Sequence, residues 1–225
     1  MRNVLLVAPL IVYSHLTAQV DSIRTLTHAF WSAEDTIQMV DFRKTTADRR
    51  FIERCDSLSL CWGACVGLWT VIDEPKKKRK RGKLLERTYF TPAFEFAESF
   101  QLADDSLGYL TQLLIFDAYE LGARRCRMDI EQYYNQMPYY GTISIVFKKV
   151  EAENMIMVQG MINNIIQAVY VDRDENAYPS WRNTIDELLA DTEGYSTSDQ
   201  DRLRFITLEP LSDDYRKAKT VIIHN

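Results

Sequence analysis

Histidine is scarce in this sequence, at three of 225 residues, and so are glycine and proline, at eight and six. His15 and His28 lie in or beside the first apolar segment, and His224 is the penultimate residue. The body of the chain therefore lacks the side chain on which acid–base and nucleophilic chemistry near neutral pH most often relies. The glycines are isolated, so neither a phosphate-cradling loop nor a dinucleotide fingerprint is present. Long flexible linkers and low-complexity tracts are excluded by the same composition. The apolar stretch Val4 to Tyr13 is too short for an ordinary membrane span, and no transmembrane span is expected.

Metal chemistry also finds little support. Cys55, Cys61, Cys65 and Cys126 include no Cys-x-x-Cys pair and have no histidine nearby, which argues against zinc. If the run around Cys61 and Cys65 is helical, those two share a face on which a disulfide is badly placed. Buried thiols are the expectation for all four. "DRDENAYPSWRN" begins like a calcium loop at Asp172, Asp174 and Asn176, but Ala177 stands where glycine is required and Asn183 where a bidentate glutamate is required. No metal, cofactor or catalytic residue is assigned.

What the chain does have is a segregated charge. Its net charge is −5, yet seven bases, Lys76, Lys77, Lys78, Arg79, Lys80, Arg81 and Lys83, stand together between Pro75 and Lys83. The remaining 20 basic against 32 acidic residues leave −12 on the rest of the molecule. Such a body repels nucleic acid, and only the local tract can approach a phosphate or another anionic surface. Six adjacent like charges repel one another in a packed element, so a solvated loop or disordered insertion is expected over residues 75–83.

Aromatic residues are plentiful, with twelve Tyr, ten Phe and four Trp. "QYYNQMPYYG" concentrates Tyr133, Tyr134, Tyr139 and Tyr140 around Met137 and Pro138. Exposed, these tyrosines would anchor a protein partner or stacked bases; buried, they pack an element junction, which is the commoner use. On "IFDAYELGARR", Asp117, Glu120, Arg124 and Arg125 occupy neighbouring helical turns. The pattern fits a carboxylate pair for acid–base work, and better fits a solvated helix face with routine ion pairs.

The order of patterns indicates a mixed α+β fold, with a mostly helical N-terminal part and a C-terminal sheet-bearing part. The divisions are 1–18, a signal peptide or a buried strand; 19–138, mostly helical, with the basic loop 75–83; and 139–225, α+β. An amphipathic helix is expected to carry Leu16 through Phe30, a strand Thr36 to Phe42, and a helix from the capping residues Thr45 and Asp48 to about Cys55. Another helix should start near Thr91, with Pro92 at its first position, and a long one should run from Asp105 to Gln136 before Pro138. "GTISIVFKKV" reads as a strand, and the following apolar run as a hairpin turning at Asn163 and Asn164. "SWRNTIDELLAD" reads as a helix, and "RLRFITL" and "KTVIIHN" as strands.

Two addresses compete. Arg2, the apolar run and "LTAQ" match the three parts of an export signal cleaved after Ala18. "PKKKRK", Pro75 to Lys80, resembles the monopartite nuclear import signal of polyomavirus large T antigens, whose consecutive Lys and Arg side chains lie in acidic grooves of an import receptor. That resemblance covers six residues and implies a nuclear address only. Export, periplasmic or secreted, is favoured, with the nucleus as the alternative. The functional expectation is a non-enzymatic interaction or structural protein with a protein partner of unknown identity. Its basic loop would contact an anionic surface or nucleic acid. The alternative is an enzyme with a carboxylate-based site at Asp117 and Glu120.

Overall fold

The computed structural model describes residues 23–219. The segment 1–18, read as signal or strand, and nearly all of "KTVIIHN" lie outside those residues.

A four-stranded antiparallel sheet in the order β1-β4-β3-β6 forms the middle layer. Its strands are β1 (His28–Phe30), β3 (Val66–Pro75), β4 (Arg87–Glu95) and β6 (Tyr215–Lys217), and a two-stranded ribbon joins β2 (Trp62–Gly63) to β5 (Phe100–Gln101). Alternation along β3 and β4 divides the side chains between two cores. Leu68, Ile72 and Phe90 pack on Ile143, Phe147 and Val150, while Trp69, Val71 and Tyr89 pack on Phe205 and Ile206.

The helices are α1 (Arg49–Leu58), α2 (Ser106–Gln136), α3 (Thr142–Ile166), α4 (Ala177–Asp191) and α5 (Asp199–Thr207). Helices α2 and α3 cover one face of the sheet, and α5 covers the other. The fold is mixed α+β, as the sequence indicates. Its elements are distributed differently along the chain: five of the six strands precede residue 102, and the four longest stretches after residue 105 are helical.

Three segments explain the difference. Thr91 to Glu95 continues a strand, not a helix, because β4 is buried on both faces and so lacks the polar–apolar alternation of a half-buried strand. Pro92 is tolerated there: its carbonyl accepts from Trp31 N–H at 3.1 Å, so its missing N–H lies on that side, just past the end of β1, where no ladder bond is lost. "GTISIVFKKV" and the expected hairpin after it form the single helix α3. Its buried positions, Ile143, Phe147, Val150, Asn154, Val158, Ile162 and Ile165, recur at three- and four-residue intervals, and Asn163 and Asn164 are helical. "RLRFITL" lies largely in α5, where Ser198 caps the helix reciprocally with Asp201.

Two smaller expectations also change. Thr36 to Phe42 contains a short 3₁₀ turn, Met39–Asp41, instead of a strand, and Leu26 is exposed rather than part of an amphipathic helix. Cys55 and Cys61 form a disulfide, with Cα atoms 4.4 Å apart, while Cys65 is exposed and Cys126 is a buried thiol. The bridge forms because the chain leaves α1 at Ser59 in a left-handed conformation and returns at once into β2; helical geometry does not extend to Cys61.

Candidate functional site: a cationic hairpin tip and its groove

The basic tract is the connection between β3 and β4, two strands paired from Val66↔Phe94 to Asp73↔Arg87. Of the solvated loop and the disordered insertion expected there from charge repulsion, the structure shows the solvated loop, ordered by a 3₁₀ turn, Lys78–Lys80. Pairing of two bases with distant acids relieves that repulsion. Lys80 Nζ donates to Asp214 Oδ1 at 2.6 Å, and Lys76 N–H donates to the Asp214 carbonyl at 2.8 Å. Arg81 Nη2 meets Glu74 Oε2 at 3.2 Å.

The seven bases thus separate into two classes. Lys80 and Arg81 are half-buried latches, whereas Lys76, Lys77, Lys78, Arg79 and Lys83 are exposed and make no ion pair among the described residues. The Lys80 hydrogen bond holds the Asp214 carboxyl below its ordinary value.

Glu74 is the hub below the tip. It accepts from Arg81, from Arg216 Nε at 2.8 Å and Nη2 at 2.6 Å, and from the Tyr140 hydroxyl at 2.6 Å. Burial would raise its carboxyl, but the bonds from Tyr140 and Arg216 and the nearby guanidiniums outweigh that and lower it. Burial, then the bond to Glu74, pushes the Tyr140 hydroxyl up to about 12.

Tyr140 therefore joins the basic tract to the tyrosine cluster, two segments read separately in the sequence. The other tyrosines diverge. Tyr133 and Tyr134 pack in the core under the sheet, Tyr134 donating to the Glu86 carbonyl, while Tyr139 is 71% exposed. Beside Tyr140, Gly141 adopts φ +99° as the residue entering α3, and its N–H donates to the buried Glu86 carboxylate at 2.7 Å.

A groove of about 440 Å³ runs from this hub along β3, and Lys148, Arg216, Lys217 and Lys219 line it with Thr70 and Phe147. Sequence reasoning assigned no role to Glu74, Lys148, Asp214, Arg216, Lys217 or Lys219. A second basic run, Arg216 to Lys219, separated from Asp213 and Asp214 only by Tyr215, was the available signal.

Asp117 and Glu120 are not a pair facing one cleft, and the solvated helix face expected around them is only partly realised. Glu120 is 0% exposed and accepts from Arg124 Nε at 2.8 Å, Thr197 N–H at 2.9 Å and Thr197 Oγ1 at 2.6 Å. Burial drives its carboxyl above the ordinary value against the pull of Arg127, Thr197 and Arg124. Asp117 instead borders a separate concavity of 390 Å³, its oxygens held by Trp31 Nε1 at 2.8 Å and Arg182 Nη1 at 2.6 Å. Arg124 is buried with Glu120, and of the four residues Arg125 is the exposed one, with no ion pair among the described residues.

Among the described residues no group of three His, Cys, Asp or Glu side chains is placed to hold a metal ion, and no helix is long and apolar enough to cross a membrane. No protein-family model matches the chain, and no curated protein or solved structure matches it.

Proposed function

We propose that this protein is a non-enzymatic interaction or structural protein that contacts an anionic surface through the tip between β3 and β4. The observation that carries the reading is the division of labour among the seven bases. Two are spent on fixing the tip, and five, Lys76, Lys77, Lys78, Arg79 and Lys83, are left facing solvent on an ordered support. An acidic body repels a polyanion at long range, but screening limits that field to about 10 Å at 0.1 M salt, within which the clustered tip dominates.

The disulfide between Cys55 and Cys61 supports export over nuclear import, because such bonds persist in oxidising compartments. Export and the anionic surface belong to one reading: a tip that meets acidic lipid headgroups, acidic glycans or an acidic protein outside the reducing cytosol.

The test replaces the five exposed bases with serine and leaves Lys80 and Arg81 in place. Thermal unfolding should be nearly unchanged, within about 0.5 kcal/mol per surface site. Binding to immobilised heparin and to anionic vesicles should weaken strongly and lose its salt dependence. Unaltered binding with an intact fold would reject the tip as the contact.

A further inference from the structure

The basic tip does not stand alone at its end of the molecule. Tyr140 bonds to Glu74 on β3 at 2.6 Å and carries the Arg81 guanidinium over its ring. Just before β4, the buried Glu86 carboxylate accepts from Gly141 N–H at 2.7 Å and from Ser144 Oγ at 3.2 Å. The junction between α2 and α3 is thus bonded to both limbs of the hairpin that presents the bases.

The surface of this junction is apolar. From Gln132 to Phe147 the chain has no charged residue. Met137 is 44% exposed, Tyr139 71% and Ile145 78%. A single exposed apolar side chain needs no explanation, but these three, fastened beside five exposed bases, make one end of the protein amphipathic. The acids near it do not cancel the bases. Glu74 accepts from Arg81 and Arg216, and Asp214 from Lys80; Asp213, next to Asp214, is exposed but outnumbered by Lys76, Lys77, Lys78, Arg79 and Lys83.

From this juxtaposition we infer that this end of the protein docks on an anionic lipid bilayer, with the five bases against headgroup phosphates and Met137, Tyr139 and Ile145 in the boundary between headgroups and acyl chains. A cluster of about four to eight Lys and Arg beside an apolar element is the form such contacts take. A sulfated glycan or a nucleic-acid backbone would engage the bases and leave Met137 and Ile145 in water, whereas a bilayer takes both kinds of side chain. Four of the five bases are lysine, which is depleted from protein–protein interfaces and, as a compact point charge, suits a deformable headgroup layer. The inference rests on the anion-contact reading and deepens it by naming the surface.

The experiment uses the full chain, sedimented with phosphatidylcholine vesicles containing about a third phosphatidylglycerol, and compares heparin, a polyanion with no apolar interior. The parent protein should bind these vesicles at least about tenfold more tightly than vesicles of phosphatidylcholine alone. Tyr139→Ser and Ile145→Ser should each weaken vesicle binding about five- to tenfold and leave heparin binding unaltered, a split that a purely electrostatic contact does not produce. Tyr139→Trp, with the four tryptophans of the parent as the blank, should gain an emission that shifts to the blue on these vesicles and is quenched by bromine on the acyl chains. Should a serine variant fail to fold, the quenching measurement still decides. Serine variants that bind vesicles like the parent, or a Tyr139→Trp emission untouched by bromine, would overturn the inserted apolar contact and leave the tip reading standing. Binding to heparin or an oligonucleotide but not to vesicles would assign the tip to a soluble polyanion, again against the inference alone. Failure of heparin and vesicles alike would remove the anion contact itself.

Discussion

The Arg81 guanidinium lies 4.5 Å from the centroid of the Tyr140 ring, and through that stack the basic tip is fastened to the junction between α2 and α3. The two residues share Glu74, so cation, ring and carboxylate form one latch. Its pH limits follow from the two shifted groups. The Glu74 value is lowered, so its contribution is complete above the ordinary 4.5 and is lost as pH falls through the lowered value. The Tyr140 value is raised, so its contribution is complete below 10.0 and is lost as pH rises toward about 12. Tyr140→Phe should lower the melting temperature at neutral pH, and its difference from the parent protein should shrink above pH 10.0. A pH series of melting curves for both proteins measures this; a difference that does not change in the alkaline range would contradict the role given to the hydroxyl.

Glu120 anchors the turn between α4 and α5 to α2 through Thr197, while Arg124 continues the network to Ser196 at 2.8 Å and the Leu189 carbonyl at 2.5 Å. Removing the carboxylate leaves Arg124 buried without its counter-charge. Glu120→Ala should destabilise by about 3–5 kcal/mol in urea unfolding. Glu120→Gln, which can still accept from Thr197, should be milder. If both variants unfold like the parent, the network is not what holds the turn.

Helices α2 and α3 touch at Gly122, where an added Cβ would stand 2.6 Å from Val158 Cγ2. Valine is stiff at χ1 and buried here, so it cannot swing aside. Gly122→Ala should therefore cost about 1–3 kcal/mol despite alanine's better helix propensity. A paired Val158→Ala substitution should restore part of the loss, which a double-mutant unfolding cycle would detect.

Helix α1 has no buried residue; Phe51 packs on the Phe100 ring at 5.0 Å, and the Cys55–Cys61 bond secures its end. Reduction, or Cys55→Ser with Cys61→Ser, should cost about 2 kcal/mol, as expected when a short loop loses its cross-link. The change should be local. Amide exchange over residues 49–58 should accelerate while the middle of α2 keeps its protection; global unfolding on reduction would show that the bridge supports far more than α1.

Several elements could be read directly because their signals lie within a few residues. Asp105 accepts from Leu107 and Gly108 N–H to begin α2, and Pro138 follows its end at Gln136. Ile185 faces inward from α4 as its spacing requires, whereas the expected Thr45–Asp48 capping box does not form: α1 begins at Arg49 after Asp48 with no side-chain cap bond. Pro75 and Gly82 bracket the tip, where the exposed bases remain exposed. Caps, breakers and charge runs act over one or two turns of chain, so sequence alone determines them.

The tertiary structure decided the rest. Whether β-branched residues became strand or helix depended on how many faces were covered: β4 lost its alternation because it is covered on both, and α3 kept a helical period under residues that favour strands. Asp73 and Arg204 form a buried pair at 2.7 Å across 131 residues, and Glu74 finds Arg216 across 142. Such partners are chosen by the path of the whole chain. Composition determined that this protein would carry a cationic tract on an acidic body; only the packing of β3, β6 and α3 decided which cations became latches and which were left facing solvent.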